Sequence, residues 1–307
     1  MPPISKKLNS KNLIVIVGPT AIGKTALSIE IAKEYNCDIL SADSRQFYKE
    51  MEIGTAKPTL SEMDGVTHHF VNNLSIHDRY TAGMFEIDAI KTLEQVYKTD
   101  DIAILVGGSG LFVDAVCFGF DDVPSNQEIR TSLIKELEIQ GIEALCLELK
   151  EKDPEYYSIA DINNSRRVLR ALEVIRTSGN TFTSYRNKAH KQRPFNIHYI
   201  GLNTDREILY KRINYRVDLM VKAGLISEVK SLFPQRNLPP LNTVGYKEFY
   251  GEIDNKNDLE EVISKIKQNT RRFAKRQITW FNKNKNTKWF NINSNSEVLE
   301  YLKNILE

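Results

Sequence analysis

Short hydrophobic runs alternate with polar, helix-periodic segments along the first part of the chain. Residues 13–17 and 102–106 are continuously apolar and rich in β-branched side chains, which is typical of strands buried in a parallel sheet. Residues 37–40 form a shorter run of the same kind. Helical periodicity covers residues 24–34 and 81–96, which lie between these runs. The alternation predicts a doubly wound α/β core.

The pattern changes at about residue 122 and changes back at about residue 194. The intervening segment is polar and helix-periodic, and residues 195–202 then alternate in a way that indicates a return to the sheet. We therefore predict a core domain formed by residues 1–121 and 195–307, with a helical insertion domain at 122–194. The predicted helices of the insertion and of the C-terminal part are 128–137, 142–150, 166–177, 206–223, 226–232 and 258–281.

Charge is unevenly distributed. The formal net charge of the 307 residues is only +2, yet residues 262–296 contain no Asp or Glu. This block carries Lys265, Lys267, Arg271, Arg272, Lys275, Arg276, Lys283, Lys285 and Lys288. A block of one sign on a balanced chain indicates a surface that faces a polyanion, although a solvated helix face would have the same composition.

Cysteine usage and hydropathy limit the class of protein. Cys37, Cys117 and Cys146 lie far apart without a CxxC pair, so neither a disulfide framework nor a zinc site is indicated. The polar start lacks the apolar segment of a signal peptide, and no apolar run reaches the length of a membrane span. We expect a cytoplasmic protein that has no membrane partner.

A phosphate-binding loop follows the first predicted strand. The segment GPTAIGKT has the Walker A spacing, in which glycines let backbone N–H groups converge on phosphate oxygens. Lys24 supplies a positive charge, and the Thr25 hydroxyl is a candidate ligand for Mg²⁺ at a helix N-terminus. The predicted phosphate-binding residues are Gly18, Pro19, Thr20, Ala21, Ile22, Gly23, Lys24 and Thr25.

The placement of acidic residues argues against a nucleoside-triphosphate hydrolase. Such enzymes hold Mg²⁺ with an Asp that follows a second apolar strand. The strand at 102–106 instead runs into Gly107 and Gly108, whereas Asp43 follows the strand at 37–40. A small-molecule kinase stays open on this evidence, because some kinases place their acid after the earlier strand.

Several further segments resemble the bacterial tRNA dimethylallyltransferase (tRNA isopentenyltransferase) family. In addition to GPTAIGKT they are SADSRQFYKEMEIGTAKPT (41–59), HHF (68–70), ILVGGSGLF (104–112), RRVLRALEVIRTSG (166–179), RINYRVDLMVKAGLISEV (212–229), TVGYKE (243–248) and TRRFAKRQITW (270–280). They follow the family's order and cover most of the chain. Ile22 and Ser109 stand where the family usually has Ser and Thr, respectively.

The resemblance implies a specific reaction. The family transfers a dimethylallyl group from dimethylallyl diphosphate to N6 of adenosine 37, beside the tRNA anticodon, with Mg²⁺ as cofactor. Asp43 then matches the acid that accepts the proton of N6, and a role as Mg²⁺ ligand is the alternative. Arg216 resembles the arginine that contacts diphosphate, although a surface salt bridge is the simpler interpretation of its helix position. We therefore predict Asp43, Thr25 and Arg216 as catalytic residues of a monomeric enzyme.

The resemblance also implies a tRNA-binding surface for the anticodon stem-loop, whose target base must leave its stack. Trp280 and Phe281 lie beside it, and we expect core packing rather than base stacking for both. The predicted tRNA contacts are Asp43, Ser44, Arg45, Gln46, Ser109, Arg130, Arg166, Arg167, Val168, Leu169, Arg170, Asn242, Gly245, Tyr246, Lys247, Lys275 and Arg276.

Three other functions compete with this prediction. A small-molecule kinase explains the phosphate loop but not the basic block. A prenyltransferase of free adenine nucleotides shares the loop but not, as a rule, the later basic segments. An RNA-binding protein without catalysis leaves the intact phosphate loop unexplained.

Overall fold

A computed structural model describes residues 10–119, 123–186, 191–255 and 259–306. The chain divides into two compact units, one formed by Met1–Cys117 with Arg193–Glu307 and the other by Phe118–Gln192. The predicted insertion at 122–194 begins at a residue outside the described ones, as does the predicted helix that starts at residue 258.

A parallel sheet forms the centre of the first unit. Across the described residues it contains six strands in the order β3-β2-β4-β1-β5-β6, and every pairing is parallel. This arrangement confirms the predicted α/β class. The strands are β1 (Asn12–Val17), β2 (Ile39–Ser41), β3 (His68–His69), β4 (Ile102–Gly107), β5 (Asn196–Asn203) and β6 (Lys288–Asn291).

Helices cover the sheet and make up the second unit. They are α1 (Lys24–Tyr35), α2 (Leu60–Met63), α3 (Ala82–Val96), α4 (Gly110–Phe118), α5 (Gln127–Lys152), α6 (Pro154–Ile159), α7 (Ser165–Ser178), α8 (Phe182–Arg186), α9 (Arg206–Lys222), α10 (Leu225–Leu232), α11 (Lys247–Asn255), α12 (Leu259–Phe281) and α13 (Asn295–Leu306). Among the helices of the described residues, none is both long and apolar enough to span a bilayer.

The register of the central strands aligns three loops at one edge of the sheet. Val17 pairs with Gly107 of β4 and with Gly201 of β5, so β1 and β4 end at the same level while β5 continues for two more residues. The whole of β1 is buried, as expected for a strand covered on both faces. Ligands of open α/β sheets bind beyond the carboxyl ends of the strands, and the loops after β1, β2 and β4 meet there.

The second unit has its own apolar core, to which α5 and α7 contribute most of the buried side chains. A break at Gly141, whose φ is 79°, divides α5 into two helical segments. This break accounts for the two separate helices, 128–137 and 142–150, that the sequence predicts. Glycine suits the position because a side chain is strained at positive φ.

Candidate phosphate and nucleic-acid site

Two glycines shape the loop between β1 and α1. Gly18 has a φ of 146°, and a Cβ atom there would lie 2.8 Å from the carbonyl oxygen of Leu202 on β5. Gly23 precedes α1 with a φ of 109°, in the left-handed region that glycine tolerates. Ile22 turns its side chain into the core and is 1% exposed. The residue therefore offers the site only its backbone.

Lys24 lies folded against the loop. Its Nζ donates hydrogen bonds to the carbonyl oxygens of Gly18 (3.0 Å) and Pro19 (2.8 Å). Burial lowers the pKa of Lys24 to about 8; Asp43 opposes this effect and Arg216 adds to it. Burial removes part of the hydration that stabilises the charged ammonium of Lys24. A bound anion would restore that stabilisation.

Two arginines of α9 approach the same loop. Nη1 of Arg216 donates to the Thr20 hydroxyl at 3.1 Å, and Nε of Arg212 donates to the carbonyl oxygen of Ala21 at 2.8 Å. Burial lowers the pKa of Arg216, while the negative charge of Asp43 raises it. The side chain of Arg216 therefore points into the phosphate loop, which argues against the simpler interpretation as a surface salt bridge.

Asp43 follows β2 and lies near enough to these cations for its negative charge to raise the pKa of both Lys24 and Arg216. Its Oδ1 accepts a hydrogen bond from the backbone N–H of Arg45 at 3.1 Å. Ser109 joins the loops after β2 and β4, since its hydroxyl oxygen accepts from the N–H of Ser44 at 3.0 Å. The structure thus brings the predicted acid, lysine and arginine to one place.

Gln46 is held by hydrogen bonds from two directions. Its Oε1 accepts from the Ser41 hydroxyl at 3.1 Å, and its Nε2 donates to the carbonyl oxygen of Ala56 at 3.3 Å. A carboxamide has a second lone pair and a second N–H, and no other described residue forms a hydrogen bond with them. The orientation suits recognition of an adenine edge, which offers one donor and one acceptor.

The turn that contains Ala56 is fixed from α10. The carboxylate of Glu228 accepts hydrogen bonds from the backbone N–H groups of Glu52 (3.1 Å), Ile53 (2.7 Å) and Gly54 (3.0 Å). It also accepts from the Tyr246 hydroxyl at 2.6 Å. The Tyr246 side chain is fully buried. Its side chain therefore supports this turn, and the tRNA contact predicted for Tyr246 stays a prediction.

A residue of α12 also contacts the phosphate loop. The Oε1 atom of Gln277 accepts from the Thr20 N–H at 2.8 Å, and its Nε2 donates to the carbonyl oxygen of Gly108 at 2.9 Å. Sequence reasoning missed this residue. A signal existed, because Gln277 occupies a buried position on the apolar face of an amphipathic helix, between Ala274 and Phe281.

The predicted contacts of the C-terminal part separate into exposed and buried groups. Asn242, Lys247, Lys275 and Arg276 are exposed, whereas Gly245 is buried. Packing is confirmed for Phe281, which is 3% exposed. Trp280 is 37% exposed, and its Nε1 donates to Asp114 at 2.8 Å, so the packing expected for it is incomplete.

Within the second unit, only part of the predicted tRNA-binding set is exposed. Arg166 and Arg167 face solvent. Arg130 and Arg170 instead form ion pairs of 2.8 and 3.1 Å with Glu173, which is almost completely buried. Val168 and Leu169 lie in the apolar core of the unit, so their side chains pack instead of facing tRNA.

These features define a class of protein: an α/β protein in which a glycine loop of Walker A spacing is accompanied by an acid, an arginine directed at the loop and an exposed basic helix. A model of the IPP transferase family matches residues 46–284, which is more than half of the chain. The protein belongs to this family. Its phosphate loop and Asp43 precede the matched segment and are placed by the structure.

Curated relatives and solved structures cover nearly the whole chain. The tRNA dimethylallyltransferase of Christiangramia forsetii is 50% identical over 295 residues, covering 95% of this chain and 98% of that protein. The tRNA dimethylallyltransferase 1 of Phocaeicola vulgatus is 45% identical over 294 residues, with the same coverage.

Among solved structures, the tRNA isopentenylpyrophosphate transferase of Bacillus halodurans is 37% identical, with a TM-score of 0.72 and coverage of 96% of this chain and 97% of that one. A eukaryotic dimethylallyltransferase, whose structure is described as acting on tRNA, is 26% identical with a TM-score of 0.79. That match covers 92% of this chain and 74% of the eukaryotic one.

Proposed function

We propose that this protein transfers a dimethylallyl group from dimethylallyl diphosphate to N6 of adenosine 37 in tRNA and releases diphosphate. The observation that carries the proposal is the convergence of Lys24, Arg216 and Asp43 at the loop after β1. Two cations and the loop amides suit a leaving diphosphate, and the carboxylate suits an amine that must lose a proton. The names of the relatives support the same reaction.

The chemistry assigns each group a role. A bond forms between N6 of the adenine and C1 of the dimethylallyl group as the bond between C1 and the diphosphate oxygen breaks. The bonding electrons leave with the diphosphate, where Lys24 and Arg216 stabilise the growing negative charge. The carboxylate of Asp43 accepts the proton that N6 loses, so charge and atoms balance. Thr20 orients the guanidinium of Arg216 through the hydrogen bond between them.

Magnesium fits this site as a partner of the diphosphate. Among the described residues, no cluster of three or more His, Cys, Asp or Glu side chains offers a metal a complete set of protein ligands. Mg²⁺ usually binds through one or two protein oxygens together with substrate phosphates. The exposed hydroxyl of Thr25 would supply such an oxygen at the start of α1. The bound ion would neutralise charge on the departing diphosphate.

The proposed site also has to accommodate the adenine of tRNA that accepts the dimethylallyl group. An adenine of the anticodon loop has to leave its stack to reach C1 of the donor. Gln46 presents a donor and an acceptor to the flipped base, and Ser44 and Arg45 lie beside it in the same loop. Exposed basic residues such as Lys275 and Arg276 would hold phosphates of the stem-loop. Because the proposed substrate is tRNA, we infer that the enzyme acts in the cytoplasm, and we propose that it acts as a monomer.

The test supplies purified protein with Mg²⁺, dimethylallyl diphosphate and a bacterial tRNA that carries adenosine immediately 3′ of its anticodon. We expect mass spectrometry of the digested tRNA to show a nucleoside heavier by one dimethylallyl group at that position. Transfer to AMP in preference to tRNA would instead indicate a prenyltransferase of free nucleotides. The absence of any transfer, where a control enzyme acts, would refute the proposal.

A pair of variants separates the two possible roles of Asp43. Asp43→Asn keeps a metal-binding oxygen but removes the proton acceptor, so we expect a loss of kcat of about 10²-fold or more with an almost unchanged Mg²⁺ requirement. A strong rise in the Mg²⁺ concentration needed for half-maximal rate would assign Asp43 to the metal instead. Ser109→Ala, measured in parallel, should affect kcat much less.

A further inference from the structure

Lys57 is a buried lysine that directly follows Ala56, and the proposed chemistry gives it no role. It is 9% exposed. Its ammonium donates hydrogen bonds to the carbonyl oxygen of Tyr48 at 2.5 Å and to Oδ1 of Asn72, with a longer contact of 3.5 Å to the carbonyl oxygen of Lys49. These three acceptors are uncharged, whereas a buried lysine usually pairs with a carboxylate. Because an ammonium has three N–H donors, one side chain here holds oxygens from two separate segments together.

Both segments that Lys57 connects also hold Gln46. The backbone N–H of Asn72 donates to the carbonyl oxygen of Gln46 at 3.1 Å. The side chain of Gln46 in turn donates to the carbonyl oxygen of Ala56, the residue before Lys57, at 3.3 Å. Lys57 therefore links the two segments that fix Gln46, one through its main chain and the other through its carboxamide.

The backbone of these segments adopts conformations that depend on their surroundings. The φ angle is 46° at Ala56 and 58° at Asn72, so both residues lie in the left-handed region. Asparagine tolerates this region, but alanine is strained there. Such conformations persist where neighbouring contacts hold them in place. The ammonium of Lys57 supplies one of these contacts, because it binds the side chain of Asn72.

We propose that Lys57 is a positioning residue that orients the adenine acceptor through Gln46. This inference rests on the proposed function, in which Gln46 contacts the flipped base. Without the ammonium, the Tyr48 carbonyl and the Asn72 side chain lose their common donor, and the two segments that hold Gln46 are no longer tied together. The carboxamide of Gln46 then samples several orientations, so fewer encounters place N6 correctly for transfer.

The first test measures steady-state kinetics of Lys57→Met, which keeps a long unbranched side chain and removes the ammonium. The value of kcat/KM for tRNA should fall by about tenfold, as expected for the loss of a hydrogen bond to a charged group. The KM for dimethylallyl diphosphate should stay unchanged, because in the described part of the chain Lys57 makes no hydrogen bond to the loop after β1. Lys91→Met, at an exposed position of α3, is the matched control and should behave as the wild type.

A double-mutant cycle tests whether Lys57 acts through Gln46. Gln46→Ala alone should lower kcat/KM for tRNA. Adding Lys57→Met to Gln46→Ala should then cause much less than the loss of about tenfold seen in the wild-type background, because the two residues serve one contact. A merely structural role of Lys57 would not depend on the Gln46 side chain, and the loss would be the same in both backgrounds.

Variants of Asn72 test the same link without removing a buried charge. Asn72 is exposed, and its N–H to Gln46 is kept in every substitution except proline. Asn72→Asp keeps an oxygen that accepts from Lys57, whereas Asn72→Gly removes it and suits the positive φ. The value of kcat/KM for tRNA should therefore be largely retained in Asn72→Asp and fall by about fivefold in Asn72→Gly. If Lys57→Met does not fold, this pair of variants decides the question.

The outcomes separate this inference from the proposed function. If the wild type modifies tRNA but Lys57→Met costs the same with and without the Gln46 side chain, the role of Lys57 is refuted and the function stands. Equal activity of Asn72→Asp and Asn72→Gly would also refute it. A rise in the KM for dimethylallyl diphosphate as large as that for tRNA would overturn the inference alone. If the wild type transfers nothing to tRNA, the proposed function is refuted, and this inference falls with it.

Discussion

Lys24 shows how a single residue can couple stability to ligand binding with opposite signs. Burial lowers its pKa to about 8 from an ordinary value of 10.5. Between these two pH values the unfolded chain binds more protons than the folded one, so the free energy of unfolding rises with pH. An anionic ligand favours the protonated form of the same group. The affinity of the protein for an anionic ligand should therefore fall over the same pH range in which the unfolding free energy of the ligand-free protein rises.

We predict these opposite trends for the wild type between about pH 7.5 and pH 9.5. Affinity for dimethylallyl diphosphate should decrease as Lys24 loses its proton, while the midpoint of urea unfolding should gain from the same event. Lys24→Met removes the titrating group, so both contributions should vanish and binding should be weak at every pH. The difference between the pH profiles of the wild type and Lys24→Met isolates the contribution of Lys24 from that of ligand titration. Parallel trends in stability and affinity would contradict this account.

At the scale of residues, the sequence predicts only part of the site. The spacing of the phosphate loop and the position of Asp43 after a strand were sufficient to predict that Lys24 and Asp43 lie close together. The partners of Gln277 and Glu228 were not predictable, because their hydrogen bonds link segments far apart in the chain. Such contacts depend on the packing of whole helices, and a periodic pattern carries no information about their partners.

At the scale of elements, the long periodic segments were predicted well, whereas two short strands at the edges of the sheet were not. The predicted helix at 206–223 corresponds to α9, and the apolar run at 13–17 lies within β1. The two-residue β3 and the four-residue β6 were missed, since so short a strand has no period to detect. Both lie at the edges of the sheet, where pairing with a neighbour, rather than local preference, determines the structure.

The hydrogen bonds between Glu228 of α10 and the turn that contains Ala56 lead to a prediction about stability. Glu228→Ala removes an acceptor shared by three backbone N–H groups and the Tyr246 hydroxyl. Hydrogen bonds to a charged group contribute about 1.5–3 kcal/mol, so the variant should lose at least that much unfolding free energy. Tyr246→Phe removes one donor from the set and should cost only about 1 kcal/mol. Urea unfolding gives both values.

The same comparison has a functional consequence. Gln46 donates to the Ala56 carbonyl within the supported turn, so Glu228→Ala should raise the KM for tRNA more than the KM for dimethylallyl diphosphate. In the proposed function the donor binds at the loop after β1, and in the described part of the chain Glu228 makes no hydrogen bond to that loop. Equal losses for both substrates, or equal destabilisation by the two variants, would show that Glu228 has no specific role in holding this turn.

For the whole molecule, the exposed positive charge matters more than the net charge of +2. The sequence located the basic block of α12 and the arginines of α7, but it did not separate exposed arginines from those paired internally. Arg166 and Arg167 face solvent, whereas Arg130 and Arg170 share the buried carboxylate of Glu173. A buried partner such as Glu173 cannot be recognised from composition, because an isolated Glu on a helix usually faces solvent.

This distinction yields the last prediction, which concerns the salt dependence of tRNA binding. Each phosphate contact that is lost should reduce the slope of log affinity against log salt by about one. Arg166→Ala, Arg167→Ala, Lys275→Ala and Arg276→Ala should each produce such a change without affecting stability. Arg170→Ala should leave the slope unchanged and lower the unfolding free energy by about 1.5–3 kcal/mol, because the buried Glu173 loses one of its two charged partners and keeps Arg130. If Arg170→Ala reduced the slope without a loss of stability, Arg170 would have to contact a phosphate of tRNA. Only a phosphate contact releases counterions on binding.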